Sequence, residues 1–301
     1  MRRPRFVGLL LGLLLLTVLA WAPPAAAAPS KCLIVNDALN ANYTSLQAAQ
    51  DAASPGATLW VRGTCTGTTE ITKNLILTGQ QPRGFTSPTL NGGGQGSVLT
   101  IDSGVTVTIN TLTITGGSGT YVPEIETVVG GGVLNNGSVT LNGTSITGNT
   151  AGTNGAGMLN FGMLTLNGTS SVSGNTARQD SGGILSVSGS VTLNDTSSIT
   201  DNSAPNGGGI LNLAGSVTLN NSGSITGNTA GSVGGGIYNL FGTVTLNNSG
   251  SITGNTAGTD GGGIYNNFTF GGSVTLNDTS SITNNNPNNC APPGSVPGCT
   301  G

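Results

Sequence analysis

The chain has 301 residues, of which only 6% are charged, and it contains 52 glycines, four cysteines and no histidine. Eight basic and 11 acidic residues give a net charge of −3, so the sequence lacks the basic surface that nucleic-acid binding requires. The missing histidine excludes Ser-His-Asp catalysis, Cys-His catalysis and histidine-ligated metal sites.

Residues 1–28 have the order of a secretory signal peptide. Arg2, Arg3 and Arg5 precede an apolar run at 6–21, and small residues follow at 26–28. This order predicts export and cleavage near residue 28, the alternative being an uncleaved N-terminal anchor. Without its three arginines the chain would keep five basic residues against 11 acidic ones, a net charge of −6. No second apolar run follows, so we expect no transmembrane segment in the mature chain.

The four cysteines are expected to form disulfides, because export leads to an oxidising compartment. Four cysteines allow three pairings. Proximity in the sequence favours Cys32–Cys65 and Cys290–Cys299. No Cys-x-x-Cys motif occurs, which argues against a zinc or thioredoxin-like site.

Residues 29–129 are predicted to form an N-terminal cap and irregular first coils. A helix is expected with Thr44 as N-cap and Gln47 as its capping partner, ending at 54–56. Strands are expected at 58–61 and 71–77, and about one to two further coils at 89–115.

Six repeats occupy residues 130–286 and are predicted to form six regular coils of 25–29 residues. They begin at Gly130, Gly155, Ser181, Gly207, Gly234 and Gly261. Each repeat holds three short apolar segments separated by Gly, Asn or Ser, and each segment is too short for a helix. Three strands and three bends per repeat predict one coil of a solenoid, with equivalent strands stacked in parallel.

Two apolar columns and two asparagine columns follow from stacking the repeats. Strand alternation turns the first and third residues of each Val-Thr-Leu segment inward. The inward columns are Val139, Leu164, Val191, Val217, Val244 and Val274, then Leu141, Leu166, Leu193, Leu219, Leu246 and Leu276. The asparagines, expected to form amide ladders, are Asn142, Asn167, Asn194, Asn220, Asn247 and Asn277, then Asn149, Asn175, Asn202, Asn228, Asn255 and Asn285.

The repeat resembles the polymorphic outer membrane protein repeat, which pairs an aromatic-x-x-Asn element with Gly-Gly-Ala-Ile. Ile252-Thr253-Gly254-Asn255 and Gly261-Gly262-Gly263-Ile264 stand in those places, with Ile for the aromatic residue and Gly for Ala. The wider resemblance is to secreted proteins of the pectin-lyase-like class. It implies an all-β, right-handed parallel β-helix with three short strands per coil and a short N-terminal capping helix. Cys32–Cys65 would then tie the entering strand to the first coil. Residues 287–301 have no strand pattern, are rich in proline and contain the Cys290–Cys299 pair, so we expect them to form a C-terminal cap.

Several features are candidates for a binding site. An outward apolar stripe is expected at Leu134, Leu159, Leu185, Leu211, Tyr238 and Tyr265, unless loops 239–242 and 266–272 fold over it. An acidic loop carries Glu124 and Glu126, the alternative being an ordinary surface loop. Arg178, Asp180 and Asp201 form either a small charged site or surface ion pairs. The hydroxyls around each inward valine, such as Ser216 and Thr218, form either an ice-binding array or a solvated strand face.

These observations predict an exported, non-catalytic protein with an adhesive, cell-surface or structural role. Its expected partner is a polysaccharide or a surface protein, and no cofactor or metal is expected. The alternative is a polysaccharide lyase or glycoside hydrolase, because fold alone does not determine activity. An ice-binding protein is a third interpretation. The oligomeric state does not follow from the sequence.

Overall fold

The computed structural model describes residues 31–122 and 127–299. Over these residues the chain is an all-β, right-handed parallel solenoid of about eight turns, which confirms the predicted fold class. The predicted signal peptide, Glu124 and Glu126 lie outside the described residues.

Sheet 1 has 11 strands, and its regular part consists of the Val-Thr-Leu segments. Its first two strand pairs are antiparallel, and all later pairs are parallel and in register. The strands are Ala41–Tyr43, Leu33–Asn36, Ala57–Arg62, Leu75–Gly79, Thr106–Asn110, Ser138–Asn142, Met163–Asn167, Ser190–Leu193, Ser216–Leu219, Thr243–Leu246 and Ser273–Leu276.

Sheets 2 and 3 have nine parallel strands each and close the coil. Sheet 2 comprises Thr64–Thr66, Thr89–Asn91, Thr113–Thr115, Ser145–Thr147, Ser171–Ser173, Ser198–Thr200, Ser224–Thr226, Ser251–Thr253 and Ser281–Thr283. Sheet 3 comprises Thr69–Ile71, Leu99–Ile101, Val133–Asn135, Met158–Asn160, Ile184–Val187, Ile210–Leu213, Ile237–Leu240, Ile264–Asn267 and Cys290–Ala291.

The repeats also contain a fourth strand of two residues, which the three apolar segments per repeat did not predict. These strands form sheet 4, between sheets 2 and 3 along the chain: Thr150–Ala151, Thr176–Ala177, Ser203–Ala204, Thr229–Ala230 and Thr256–Ala257. Alanine is too small to give an apolar signal, yet all five of these alanines are buried, and Ala151, Ala177 and Ala204 form a cluster with Ala156.

The core is a continuous column of inward Val, Leu and Ile side chains. Val217 pairs directly with Val244, and Leu219 with Leu246, as the repeat alignment predicted. All predicted inward residues are buried except Leu276, which is half-buried in the last strand of sheet 1. Removing these side chains from water supplies the main driving force for folding.

Both predicted asparagine columns form amide ladders. In the outer column (Asn142 and its five equivalents), each side chain bonds to the preceding one, with Nδ2–Oδ1 distances of 2.8 to 3.0 Å. In the inner column (Asn149 and its five equivalents), the side chains are buried and bond to the following one.

The N-terminal end is covered by the antiparallel strands and by the helix Leu46–Ala52. The predicted N-cap was wrong by one residue: the Oγ of Ser45 accepts from the Ala48 N–H at 3.3 Å. Gln47 does not complete a capping box, because its Oε1 accepts the Glu70 N–H instead. The single strand predicted at 71–77 is two strands, since the chain bends between Ile71 and Leu75.

Both predicted disulfides are present. Cys32–Cys65 joins the residue before strand Leu33–Asn36 of sheet 1 to sheet 2. Cys290–Cys299 closes the C-terminal loop. That loop adds a last strand to sheet 3 and buries Val296 against the end of the core. Both ends of the apolar column are therefore covered, as an open strand stack requires.

Candidate functional site

The predicted apolar stripe lies on the outward side of sheet 3, because the residues before it, such as Ile210, are fully buried inward. The four leucines of the stripe are nevertheless buried, with Leu159 only 1% and Leu211 8% exposed. They form a second apolar cluster with Val129 of the hairpin formed by Thr120–Val122 and Thr127–Val129. The leucines therefore do not present a free surface, contrary to the expectation.

The cover over the leucines is backbone from the connection between sheets 4 and 3. A Cβ built on Gly207 would lie 3.1 Å from the Cβ of Leu211, and one built on Gly130 would lie 3.3 Å from the Cβ of Leu134. The first residue of each Gly-Gly-Gly segment takes a left-handed conformation there, as with φ of +58° at Gly207. Glycine adopts that conformation without steric cost, so the segment folds back over the stripe.

The two tyrosines of the stripe are half-buried and contact each other. Their rings lie 5.4 Å apart at 84°, an edge-to-face pair. Burial raises the pKa of the Tyr238 hydroxyl above its ordinary value, and a side-chain hydrogen bond with Asn267 acts in the opposite direction. Tyr238 and Tyr265 thus close the far end of the buried stripe.

The charged candidates do not converge. The Asp180 carboxylate accepts the Asn206 Nδ2 at 2.9 Å, beside the start of sheet 3. Asp201 occupies the bend after sheet 2, with its Oδ1 over Gly227. Arg178 is exposed beyond sheet 4. Within residues 31–122 and 127–299, no group of three or more Cys, Asp or Glu side chains could hold a metal ion.

A groove that the sequence analysis missed runs along the corner between sheets 3 and 1. Its cavity has a volume of about 560 Å³ and is lined by Phe161, Gly162, Met163, Ser188, Gly189, Ser190, Ala214, Gly215, Ser216, Phe241, Gly242 and Thr243. We call this cavity the corner groove. Met163 also borders a neighbouring cavity of about 260 Å³ toward the N-terminal end. No lining residue is charged, so the groove suits an uncharged ligand.

The floor of the corner groove is a row of glycines, and a third polar column lies beneath it. This polar column, which we call the floor column, comprises Asn135, Asn160, Ser186, Asn212, Asn239 and Asn266, all fully buried. Its amides donate to glycine carbonyls of the floor, for example Asn239 Nδ2 to Gly242 O at 2.9 Å. A Cβ on Gly189 would lie 2.7 Å from Asn160 Nδ2, so only glycine fits above the column.

The walls of the corner groove are exposed apolar side chains. Phe161, Met163 and Phe241 are 43%, 58% and 49% exposed. Phe161 and Phe241 occupy equivalent positions three coils apart, roughly 14 Å along the axis, and the smaller Ser188 and Ala214 lie between them. Two aromatic side chains therefore lie at either end of a shallow floor whose polar groups are hydroxyls and backbone amides.

Phe241 is held in a left-handed conformation, with φ of +63°. For a bulky side chain this conformation is a true outlier and costs about 1–2 kcal/mol. Backbone strain of this kind concentrates at functional sites. The equivalent Ser188 and Ala214 share the conformation with smaller side chains, so the strained aromatic is a local departure from the repeat.

The sequence contained only a weak signal for this site. The residue at this position differs from coil to coil and is Phe161, Ser188, Ala214 or Phe241, so repetition in the sequence does not mark it. The glycine that follows each of these four positions does recur, and it marks the corner where the backbones approach closely.

Comparisons with protein-family models, with curated proteins and with solved structures found no match to this chain. Within the described ranges, no helix combines the length and apolarity needed to cross a membrane. The solenoid and its corner groove are therefore the basis for a functional interpretation.

Proposed function

We propose that this protein is an exported, non-catalytic adhesive solenoid that holds an uncharged polysaccharide chain in the corner groove. The observation that carries the proposal is the pair of exposed phenylalanines, Phe161 and Phe241, above a glycine floor. Sugar rings have apolar C–H faces that pack on aromatic rings and hydroxyls that bond to groups such as Ser190 and Ser216. Binding sites of about 300–1,000 Å³ commonly combine apolar walls with a few polar groups.

The residues that line the groove favour binding over cleavage. Glycosidases use two carboxyl groups that flank the scissile bond, and the groove is lined by Phe, Met, Ser, Ala, Thr and Gly alone. The lyase or hydrolase alternative would therefore place its chemistry elsewhere. Export is supported by the signal-like N-terminal order and by two disulfides. The repeat's resemblance to the polymorphic outer membrane protein repeat, together with the scarcity of reactive side chains, supports an adhesive role.

The direct test is binding to insoluble polysaccharides. We expect the protein to bind an uncharged chain such as cellulose, xylan or chitin more tightly than pectate or alginate. The double variant Phe161→Ser, Phe241→Ser should bind at least about 30-fold more weakly, because truncating an aromatic anchor costs about 2 kcal/mol or more. Tyr121→Ser is the matched control, since Tyr121 is 57% exposed on the hairpin, away from the groove.

Three results would overturn the proposal. Unchanged binding in the double variant would remove the groove from the mechanism. Equal loss in Tyr121→Ser would show that any exposed aromatic matters. Release of shorter or unsaturated sugars from the polysaccharide would establish a lyase or hydrolase instead.

A further inference from the structure

Sheet 2 presents an outward face that the proposed function does not use. Each of its nine strands has one inward apolar residue between two outward ones. The first outward column is Thr64, Thr89, Thr113, Ser145, Ser171, Ser198, Ser224, Ser251 and Ser281. The second is Thr66, Asn91, Thr115, Thr147, Ser173, Thr200, Thr226, Thr253 and Thr283. We call these two columns the hydroxyl face.

The hydroxyl face is uniform. Every position in both columns is Ser or Thr except Asn91, and none is charged or aromatic. Ordinary solvated strand faces also carry Lys, Glu or Asp, because these residues are the most exposed types in proteins. The sheet 1 face is less uniform: Met163 interrupts its hydroxyl column, and the amides of its outer column bond to one another.

The hydroxyl face is also regular in two dimensions. The strands pair in register, with Ser198 opposite Ser224 and Thr200 opposite Thr226. Adjacent strands are ~4.8 Å apart, and alternate residues on one strand are ~6.6 Å apart. Nine strands extend the array over roughly 38 Å. The inward residues beneath it, such as Ile199 and Ile225, are fully buried and hold the strands in place.

We propose that the hydroxyl face binds the surface of ice. Ice offers an uncharged lattice of hydrogen-bond donors and acceptors that repeats in two dimensions on the same scale of a few ångströms. Neutral hydroxyls at fixed spacing hold water molecules in a matching array, and such bridging waters bind nearly as well as direct contacts. Because threonine is stiff at χ1 and the solenoid backbone is already ordered, little freedom is lost on binding.

The threonine column contributes more than the serine column in this interpretation. Thr147, Thr200, Thr226 and Thr253 each carry a methyl group beside the hydroxyl, which limits both the rotamer and the positions of neighbouring water. Serine lacks that restriction. In the serine column the Ser171 hydroxyl donates to the Ser145 hydroxyl at 3.2 Å, so part of its bonding is internal.

The experiment measures thermal hysteresis, the gap between the melting and freezing temperatures of a small ice crystal in a solution of the protein. The test variant is Thr200→Tyr with Thr226→Tyr, which raises two bulky rings above the hydroxyl face. The matched control is Thr192→Tyr with Thr218→Tyr, the same substitution on the same two coils but on sheet 1. Tyrosine favours strands as threonine does, so both variants should fold, and circular dichroism checks this.

We expect the unmodified protein to show hysteresis, the sheet 2 variant to lose it and the sheet 1 variant to keep it. Absence of hysteresis in the unmodified protein would overturn the proposal. Loss in the sheet 1 variant, alone or together with the sheet 2 variant, would also overturn it, since the activity would not belong to the hydroxyl face. Polysaccharide binding by the corner groove is measured separately, so failure of either proposal leaves the other standing.

Discussion

The inner and outer asparagine columns have the same residue and the same period, yet their environments differ. Asn202 of the inner column is buried, and its side chain takes part in four hydrogen bonds, to Val172, Asn175 and Asn228. Asn194 of the outer column is half-buried, and its side chain bonds only to its two ladder neighbours. Recurrence in the sequence therefore indicates that the coil requires the residue, whereas burial determines how much its hydrogen bonds contribute to the free energy of unfolding.

The largest effect is expected from Asn202→Ala. Removing this side chain leaves the Asn175 N–H without its acceptor inside the core, leaves Asn175 Nδ2 with Ile146 O alone and takes a donor from the Val172 carbonyl. Each buried group left unpaired costs about 1–3 kcal/mol, so the free energy of unfolding should fall by about 3 kcal/mol. The control Asn194→Ala should cost less than about 1 kcal/mol, because water can replace its partners.

Urea unfolding measures both asparagine variants through the midpoint at an unchanged m value. Equal shifts of the midpoint would contradict the distinction between the two columns.

The second prediction contrasts two glycines. At Gly215 an added Cβ would lie 2.8 Å from Asn212 Oδ1 and would also clash with the Gly189 carbonyl. Overpacking of this kind lowers the free energy of unfolding by about 1–3 kcal/mol. We expect the loss in Gly215→Ala to lie at the upper end of this range. Gly168 has φ of +62° and open space around it, so Gly168→Ala should cost about 1 kcal/mol. Thermal unfolding tests this prediction, and a lower melting temperature for Gly168→Ala than for Gly215→Ala would contradict it.

The third prediction concerns a gap in the floor column. Asn212 Oδ1 is buried without a hydrogen-bond partner, because Ser186 stands where an asparagine Nδ2 would donate to it. Ser186→Asn should complete the ladder and raise the free energy of unfolding by about 1 kcal/mol. Ser190→Asn, on the half-buried outward side of sheet 1, should leave stability unchanged. A destabilised Ser186→Asn protein would mean that the third coil has no room for the amide.

The smallest effect is expected at the groove wall. Phe241→Asn should stabilise the fold by about 0.5 kcal/mol, because asparagine tolerates the left-handed conformation that strains phenylalanine. Phe161→Asn should leave stability nearly unchanged, since Phe161 has an ordinary negative φ. Both variants should lose polysaccharide binding. Calorimetric melting together with the binding assay tests this, and destabilisation by Phe241→Asn would refute the strain argument.

Features that recur in every coil could be predicted from the sequence. The inward valine and leucine columns and both predicted ladders agree with the structure. The two disulfides lie outside the repeats and were predicted from the proximity of the cysteines in the sequence. Strand alternation is a local property with a period of two, so each Val-Thr-Leu segment indicates its own inward face. Because equivalent segments recur in every repeat, the same pattern appears several times along the chain, and this strengthens the prediction.

Features that depend on contact between different segments could not be predicted. Leu134 and Leu211 point outward as expected, but backbone from the preceding connection covers them. The alternation of a strand does not say what lies over its outer face. The corner groove was not predicted for a related reason, because Phe161 and Phe241 become a pair only when four coils are stacked.

The amino-acid sequence by itself determined the coil and its interior, because these follow from a pattern that recurs in every repeat. The two disulfides followed from the proximity of the cysteines at each end of the chain. The tertiary structure alone decided which outward residues reach solvent, since exposure depends on the paths of neighbouring segments and of adjacent coils. The buried leucine stripe and the open groove between Phe161 and Phe241 are both products of that second level.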